Sequence, residues 1–303
     1  MPQLSRRAVG LVFAGSALAQ ENQDTGLTFR SDTREVLLHA TVVDRKGAFV
    51  TDLPREAFKV FEDGVEQKLR IFRREDVPVS MGLIVDNSGS MRRKRKKVED
   101  SAVALVKASN RQDEIFIVNF NDVAYRDADL TSDVKKLEEG ISRIDAKGGT
   151  AMRDAITLSM DYVLAKGKKA KKVLLVITDG DDTASGDSNT LEKLLAKAQR
   201  SEVLIFAIGI LNEEDRRSAK RAERALEMLT KQSGGIAHFP KDVENVALQI
   251  AKEIRSQYII AYAPTKPDDG VYRQLKVTVK GSGLTVRTRT GYYAKADDKR
   301  SSL

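Results

Sequence analysis

Met81-Gly82-Leu83-Ile84-Val85-Asp86-Asn87-Ser88-Gly89-Ser90 reads as a strand that runs into a polar loop. Its first five residues are apolar or small without alternation, the pattern of a strand buried on both faces of a parallel sheet. Ile115-Phe116-Ile117-Val118, Val173-Leu174-Leu175-Val176-Ile177 and Val203-Leu204-Ile205-Phe206 repeat that character. Segments with helical periodicity lie among these runs, at Asp154 to Leu164 and Leu191 to Gln199, and continue at Arg216 to Lys231 and Val243 to Arg255. Such alternation of strands and helices predicts an α/β domain over residues 78–256.

The flanks have a different texture. Val36 to Val43 is β-rich, and Phe58 to Phe61 and Lys68 to Phe72 alternate around Asp63-Gly64, a hairpin signal. After Gln257 the β pattern returns at Tyr258 to Tyr262, Leu275 to Val279 and Leu284 to Thr288. Segments 28–77 and 257–295 are each too small to fold comfortably alone. Together they supply strands for a small β-sandwich, which makes the α/β domain an insertion. Ser256-Gln257 is the only spacer between the last helix and the returning strand, with neither Gly nor Pro to decouple them.

Composition bounds the chemistry. The 303 residues are 41% hydrophobic and carry 52 Lys+Arg against 44 Asp+Glu, a net charge of +8. That balance suits a soluble globular chain with mild attraction to acidic partners. The absence of Cys excludes disulfides, thiolate metal sites and thiol catalysis, and two His leave little imidazole chemistry. Arg6-Arg7, the apolar stretch Ala8–Ala14 and Ala17-Leu18-Ala19 have the layout of a secretory signal peptide over residues 1–19. Its removal takes away Arg6 and Arg7, so the charge falls from +8 to +6. The apolar run is too short to span a bilayer, so the expected product is exported and soluble, secreted or periplasmic. Residues 296–303 read as a tail.

Three polar loops carry the chemistry. In an extended segment Asp86, Ser88 and Ser90 point the same way. Lys147-Gly148-Gly149-Thr150 presents a hydroxyl at a helix start, and Thr178-Asp179-Gly180 places a carboxylate at the end of another core strand. The carboxyl ends of parallel strands form the ligand crevice of such sheets. Asp86, Ser88, Ser90, Thr150 and Asp179 therefore offer an all-oxygen donor set, which suits Mg²⁺ or Mn²⁺ and disfavours Zn²⁺. Two carboxylates only neutralise a divalent ion, leaving it electrophilic toward one further acidic ligand.

This ordered D-x-S-x-S, then T, then D pattern resembles the von Willebrand factor type A family with its metal-ion-dependent adhesion site. The resemblance implies a doubly wound, Rossmann-like VWA fold for residues 78–256, with Ser88 and Ser90 ligating the metal directly and Thr150, Asp86 and Asp179 directly or through water. It further implies a non-enzymatic, adhesion-type module that uses Mg²⁺ to capture the Asp or Glu side chain of a protein partner. In VWA domains of the integrin type, ligand at the metal can shift the final helix along its axis. Val43-Asp44-Arg45-Lys46-Gly47, Leu53-Pro54-Arg55-Glu56-Ala57-Phe58, Phe61-Glu62-Asp63-Gly64 and Gly291-Tyr292-Tyr293 extend the likeness to the exported VWFA-related proteins described mainly from Acidobacteria.

Arg92-Arg93-Lys94-Arg95-Lys96-Lys97 follows the first loop directly. It reads either as a solvated helix face or as a cationic patch that steers an acidic partner toward the ion. Export and the lack of interleaved aromatics argue against nucleic acid. Asp181 and Asp182 read as exposed loop residues, and His39 and His238 as structural or exposed. No P-loop, nucleophile elbow, HExxH or dinucleotide fingerprint follows a strand. The competing enzymatic reading is a Mg²⁺-dependent phosphohydrolase with Asp86 as nucleophile, but Ser88 stands where such enzymes need a second carboxylate.

Overall fold

A computed structural model describes residues 35–294, apart from 75, 144–145, 212–214 and 242–244. The signal peptide expected over 1–19, the tail 296–303 and the expected helix start at Val243 lie outside the described residues. The described residues belong to one compact unit.

Among the described residues four strands precede the α/β layer: β1 (Val36–Val43), β2 (Phe58–Glu62), β3 (Val65–Gln67) and β4 (Leu69–Arg73). Asp63 and Gly64 connect β2 to β3 with both φ angles positive, 47° and 82°, as a tight hairpin turn of the primed type requires. The layer itself then runs β5 (Val79–Asp86), α1 (Arg95–Ala108), β6 (Glu114–Phe120), β7 (Ala124–Thr131), α2 (Val134–Ser142), α3 (Met152–Lys166) and β8 (Lys171–Thr178). It continues through α4 (Leu191–Arg200), β9 (Leu204–Gly209), α5 (Arg216–Ser233), β10 (Ala237–His238) and α6 (Val246–Arg255). β11 (Tyr258–Tyr262), β12 (Tyr272–Val279), β13 (Thr285–Arg287) and β14 (Gly291–Tyr293) close the described chain.

The central sheet has the order β10-β9-β8-β5-β6-β7 and is parallel except for β7. All eight residues of β5 are buried, because helices cover both faces. Leu83, Val85, Leu175 and Ile117 pack toward α1, α2 and α6, represented by Leu105, Leu137 and Ile250. Ile84, Phe116 and Val176 pack toward α3, α4 and α5, represented by Ile156, Leu194 and Leu226. The layer is thus doubly wound. Burying each such side chain stabilises the fold by roughly 1.5–3 kcal/mol. At Gly82 in β5 a Cβ would come within 2.4 Å of the Phe116 ring.

β5 pairs with β6 on one side and β8 on the other, although β6 comes next in sequence. The winding direction reverses between β5 and β8, the point where sheets of this kind receive ligands, and Asp86 and Thr178 stand at the carboxyl ends of those two strands. The antiparallel edge strand β7 and the helix α2 are elements that the apolar patterning did not reveal. β7 is polar and half-exposed, and its charged residues suit an edge that must not pair with another chain.

The sandwich interleaves the two flanks. Its sheets have the orders β13-β1-β11-β4 and β14-β12-β2-β3, so strands from the two flanks alternate in the first sheet and meet at the β12–β2 pair in the second. Leu38, Val60, Tyr258, Ile260 and Tyr262 share its core. Neither flank could close this core alone. Among the described residues, no helix is long and apolar enough to cross a membrane.

Candidate functional site

Asp86 is the last residue of β5 and is 1% exposed. Its Oδ1 accepts a hydrogen bond from the Ser88 N–H at 2.7 Å, and its Oδ2 accepts from the Thr178 hydroxyl at 2.6 Å. Burial pushes its carboxyl up to about 6; hydrogen bonds from Ser88 and Thr178 oppose that, while the nearby Asp179 charge adds to it. The Ser88 and Ser90 hydroxyls lie 3.0 Å apart, and Ser90 Oγ donates to Asp179 Oδ1 at 2.7 Å. Four of the five residues singled out in the sequence therefore form one hydrogen-bonded cluster, joined through the Ser88 N–H and buttressed at Asp86 by Thr178.

Thr150 joins it through the backbone. The Lys147 N–H donates to the Asn87 carbonyl at 3.0 Å, and the Gly89 N–H to the Gly148 carbonyl at 3.1 Å. The Thr183 and Ala184 N–H groups donate to the Thr150 carbonyl at 2.9 and 3.2 Å, and the Thr150 N–H donates to the Thr183 hydroxyl at 3.1 Å. Each of the three loops is thus stitched to the other two. Gly148 is required at its position: its φ is +77°, and a Cβ would lie 2.0 Å from Asp122 Oδ2. Asp122 Oδ1 in turn accepts from the Gly149 N–H at 2.7 Å, fixing the turn that leads to Thr150.

The basic run divides. Arg92 and Arg93 close a short 3-10 turn over Gly89–Arg93, and Arg95, Lys96 and Lys97 open α1. Arg92 and Arg95 reach the Ala146 and Ser142 carbonyls at 3.3 Å, and Lys96 pairs with Asp100 at 2.7 Å, all at the surface. Arg93 and Lys97 are exposed. Lys94 turns inward instead, donating to Asp179 Oδ2 at 2.9 Å and to the Ile210 carbonyl at 2.7 Å.

Asp182 is not the exposed loop residue expected. Its side chain is 3% exposed and accepts from the Arg153 N–H at 2.7 Å and the Ser185 hydroxyl at 2.7 Å, capping the start of α3. Asp181 pairs with Arg221. Thr178, Asp122, Thr183 and the inward orientation of Lys94 were missed by sequence reasoning. Thr178 carried a signal in its adjacency to Asp179; the others depend on contacts distant in sequence. His39 is buried in β1, with burial holding its imidazole well below the ordinary value.

The donor chemistry fits a hard divalent cation. Two carboxylates and the serine hydroxyls gather in one buried, all-oxygen cluster, the donor type that a hard cation takes. Among the described residues no group of three or more His, Cys, Asp or Glu comes together, so an ion at this cluster would draw on the hydroxyls as well as on the two carboxylates.

Residues 81–181 match the family described as von Willebrand factor type A domain, and the chain carries such a domain. A 112-residue stretch is 35% identical to integrin alpha-11 of Mus musculus, covering 35% of this chain and 9% of that protein. An 88-residue stretch is 40% identical to integrin alpha-11 of Homo sapiens, covering 28% of this chain and 7% of that protein. The chain thus spans less than a tenth of the length of these relatives. Among solved structures, von Willebrand factor type A from Catenulispora acidiphila aligns with a TM-score of 0.51 at 12% identity, over 89% of this chain and 76% of that one. Proximal thread matrix protein 1 from the mussel byssus, in a form with a zinc-occupied MIDAS motif, aligns at 0.51 and 14% identity, over 65% of this chain and 50% of that one. At these identities the likeness is one of fold.

Proposed function

We propose that the von Willebrand factor type A domain of this chain is an exported, non-enzymatic binding module that captures an acidic side chain of a protein partner through Mg²⁺ or Mn²⁺. Asp86, Ser88, Ser90, Thr150 and Asp179 would hold the ion, directly or through water. Bound there, a divalent cation supplies a Lewis-acidic position for one carboxylate oxygen of a partner Asp or Glu. The single observation that carries this reading is the continuous hydrogen-bonded link Asp86–Ser88–Ser90–Asp179 across the loops after β5 and β8. The zinc-occupied motif of the byssus protein gives a metal in this fold a precedent. The oxygen-only donors of this chain favour a harder ion.

The chain's own residues do the remaining work. Thr178 and the Ser88 N–H hold both oxygens of Asp86 in fixed directions. Asp122 and Gly148 fix the turn that carries Thr150. Arg95, Lys96 and Lys97 occupy the first turn of α1, where cations oppose the helix dipole and no acidic residue or side-chain cap compensates. A local rule broken beside a binding crevice supports a steering role for the basic run.

Phosphoryl transfer by Asp86 is less well supported. Both of its oxygens are engaged by donors, and Ser88 stands at the position where an acid–base carboxylate is needed. The narrower likeness to exported VWFA-related proteins agrees with the signal-peptide layout of residues 1–19. The test is thermal. Mg²⁺ should raise the melting temperature of the wild type by mass action, and Asp179→Ala should abolish that shift while still folding. An equal shift in both proteins refutes the site, and pull-down from envelope extract with Mg²⁺ against EDTA identifies the partner.

A further inference from the structure

Lys94 belongs to a run of six consecutive cations, but its environment differs from that of its neighbours Arg92, Arg95 and Lys96, whose contacts are exposed. It follows the 3-10 turn Gly89–Arg93 with φ −98° and ψ −15°. Its Nζ donates to Asp179 Oδ2 at 2.9 Å and to the carbonyl of Ile210, just beyond β9, at 2.7 Å. The Asp179 side chain is 0% exposed and that of Lys94 is 28% exposed. Since Ser90 donates to the other oxygen of Asp179, both oxygens of this carboxylate are satisfied within the chain.

We propose that Lys94 is a built-in competitor of the divalent ion, its ammonium setting the ion concentration at which the site between Asp86 and Asp179 fills. The inference rests on the metal-binding reading above and adds to it a determinant of affinity. One full positive charge in contact with the donor set lowers the formal charge of the Asp86 and Asp179 pair from −2 to −1. Charges interact strongly where water is largely excluded, so a cation entering beside Asp179 meets repulsion from the ammonium. Either the ion binds against that repulsion, or Lys94 gives up two hydrogen bonds and swings outward, which its flexible stem and partial exposure allow. Both routes weaken ion binding relative to a chain without the charge. Lys94 also offsets the charge of the buried Asp179 side chain.

The test compares the full chain with Lys94→Met, which keeps the apolar stem, and Lys94→Arg, which keeps the charge. Mg²⁺ and Mn²⁺ alone are titrated by calorimetry at low salt, with melting curves in EDTA and in Mg²⁺. Lys94→Met should bind Mg²⁺ about tenfold more tightly than wild type. It should melt lower in EDTA and show a larger Mg²⁺-induced rise, whereas Lys94→Arg should fall short of the gain in affinity. Detectable binding by Lys94→Met alone would support the proposal equally. A lysine that is merely structural would lower both melting curves alike and leave the dissociation constant unchanged. Equal affinities in wild type and Lys94→Met, or weaker binding in the variant, overturn the proposal. If none of the three proteins binds either ion, the metal-binding reading itself fails and the inference fails with it.

Discussion

Glu253 of α6 and Arg287 of β13 pair at 2.5 Å across the joint between the α/β layer and the sandwich, with the Glu253 side chain 2% exposed. The same carboxylate accepts from the Thr41 hydroxyl of β1 at 3.2 Å, and Gln257 donates to that hydroxyl at 3.1 Å. Arg255 adds a pair with Asp76 at 2.8 Å and another with Asp113. The end of the last helix is therefore bound to strands from both flanks, with Gln257 of the spacer in the same network. Removing one partner of a buried pair strands the other. Glu253→Ala should cost about 3 kcal/mol in denaturant unfolding and raise hydrogen exchange over 246–262. A loss below about 1 kcal/mol would mean the pair behaves as a solvated one.

Gly148 gives a test confined to the crevice. Alanine there must adopt a φ of +77° and displace Asp122, whose Oδ2 would lie 2.0 Å from the new Cβ. Gly148→Ala should destabilise the chain by about 1–3 kcal/mol. It should also shrink the Mg²⁺-induced rise in melting temperature, because Asp122 holds the Gly149 N–H that leads to Thr150. A wild-type response in the variant would show that this turn does not position Thr150 for the ion.

The core strands were legible because burial on both faces removes polar alternation, as the uniform burial of β5 illustrates. β7 was not, since an exposed edge strand such as Ala124–Thr131 needs no apolar stripe. Asp86, Ser88, Ser90 and Asp179 could be picked out because parallel-strand ends converge by construction. Lys94 could not be told from its neighbours, since only the Ile210 carbonyl and Asp179, both distant in sequence, draw it inward. Asp182 was hidden for the same reason, its burial depending on Arg153 and Ser185.

The surface part of the basic run can be separated from Lys94. Replacing Arg92, Arg93, Lys96 and Lys97 with Gln, while keeping Lys94, should slow association with an acidic protein partner several-fold at low salt. Added salt should reduce the wild-type rate toward that of the variant. Dissociation should change little, since these side chains contact solvent or the chain's own groups. Unchanged association at low salt would leave the run as a solvated helix face.

Lys171 predicts the pH dependence of the joint. It opens β8, is 3% exposed, and its Nζ donates to the Ile254 carbonyl at the end of α6. Burial pushes its ammonium down to about 7, against Asp76, Asp113 and Glu253, which favour the charge, and with Arg255, which disfavours it. Between about 7 and the ordinary value of 10.5 the unfolded chain holds this proton and the folded chain does not. Where the unfolded state binds more protons, stability rises with pH, here with a slope of up to about 1.4 kcal/mol per pH unit. Below pH 7 both states carry the proton and the contribution levels off at its lowest value. Lys171→Met should remove the slope, so that the difference in unfolding free energy between wild type and variant grows in the wild type's favour from pH 7 to 10. Parallel pH profiles for the two proteins would show that Lys171 stays charged in the fold, with Asp76, Asp113 and Glu253 outweighing its burial.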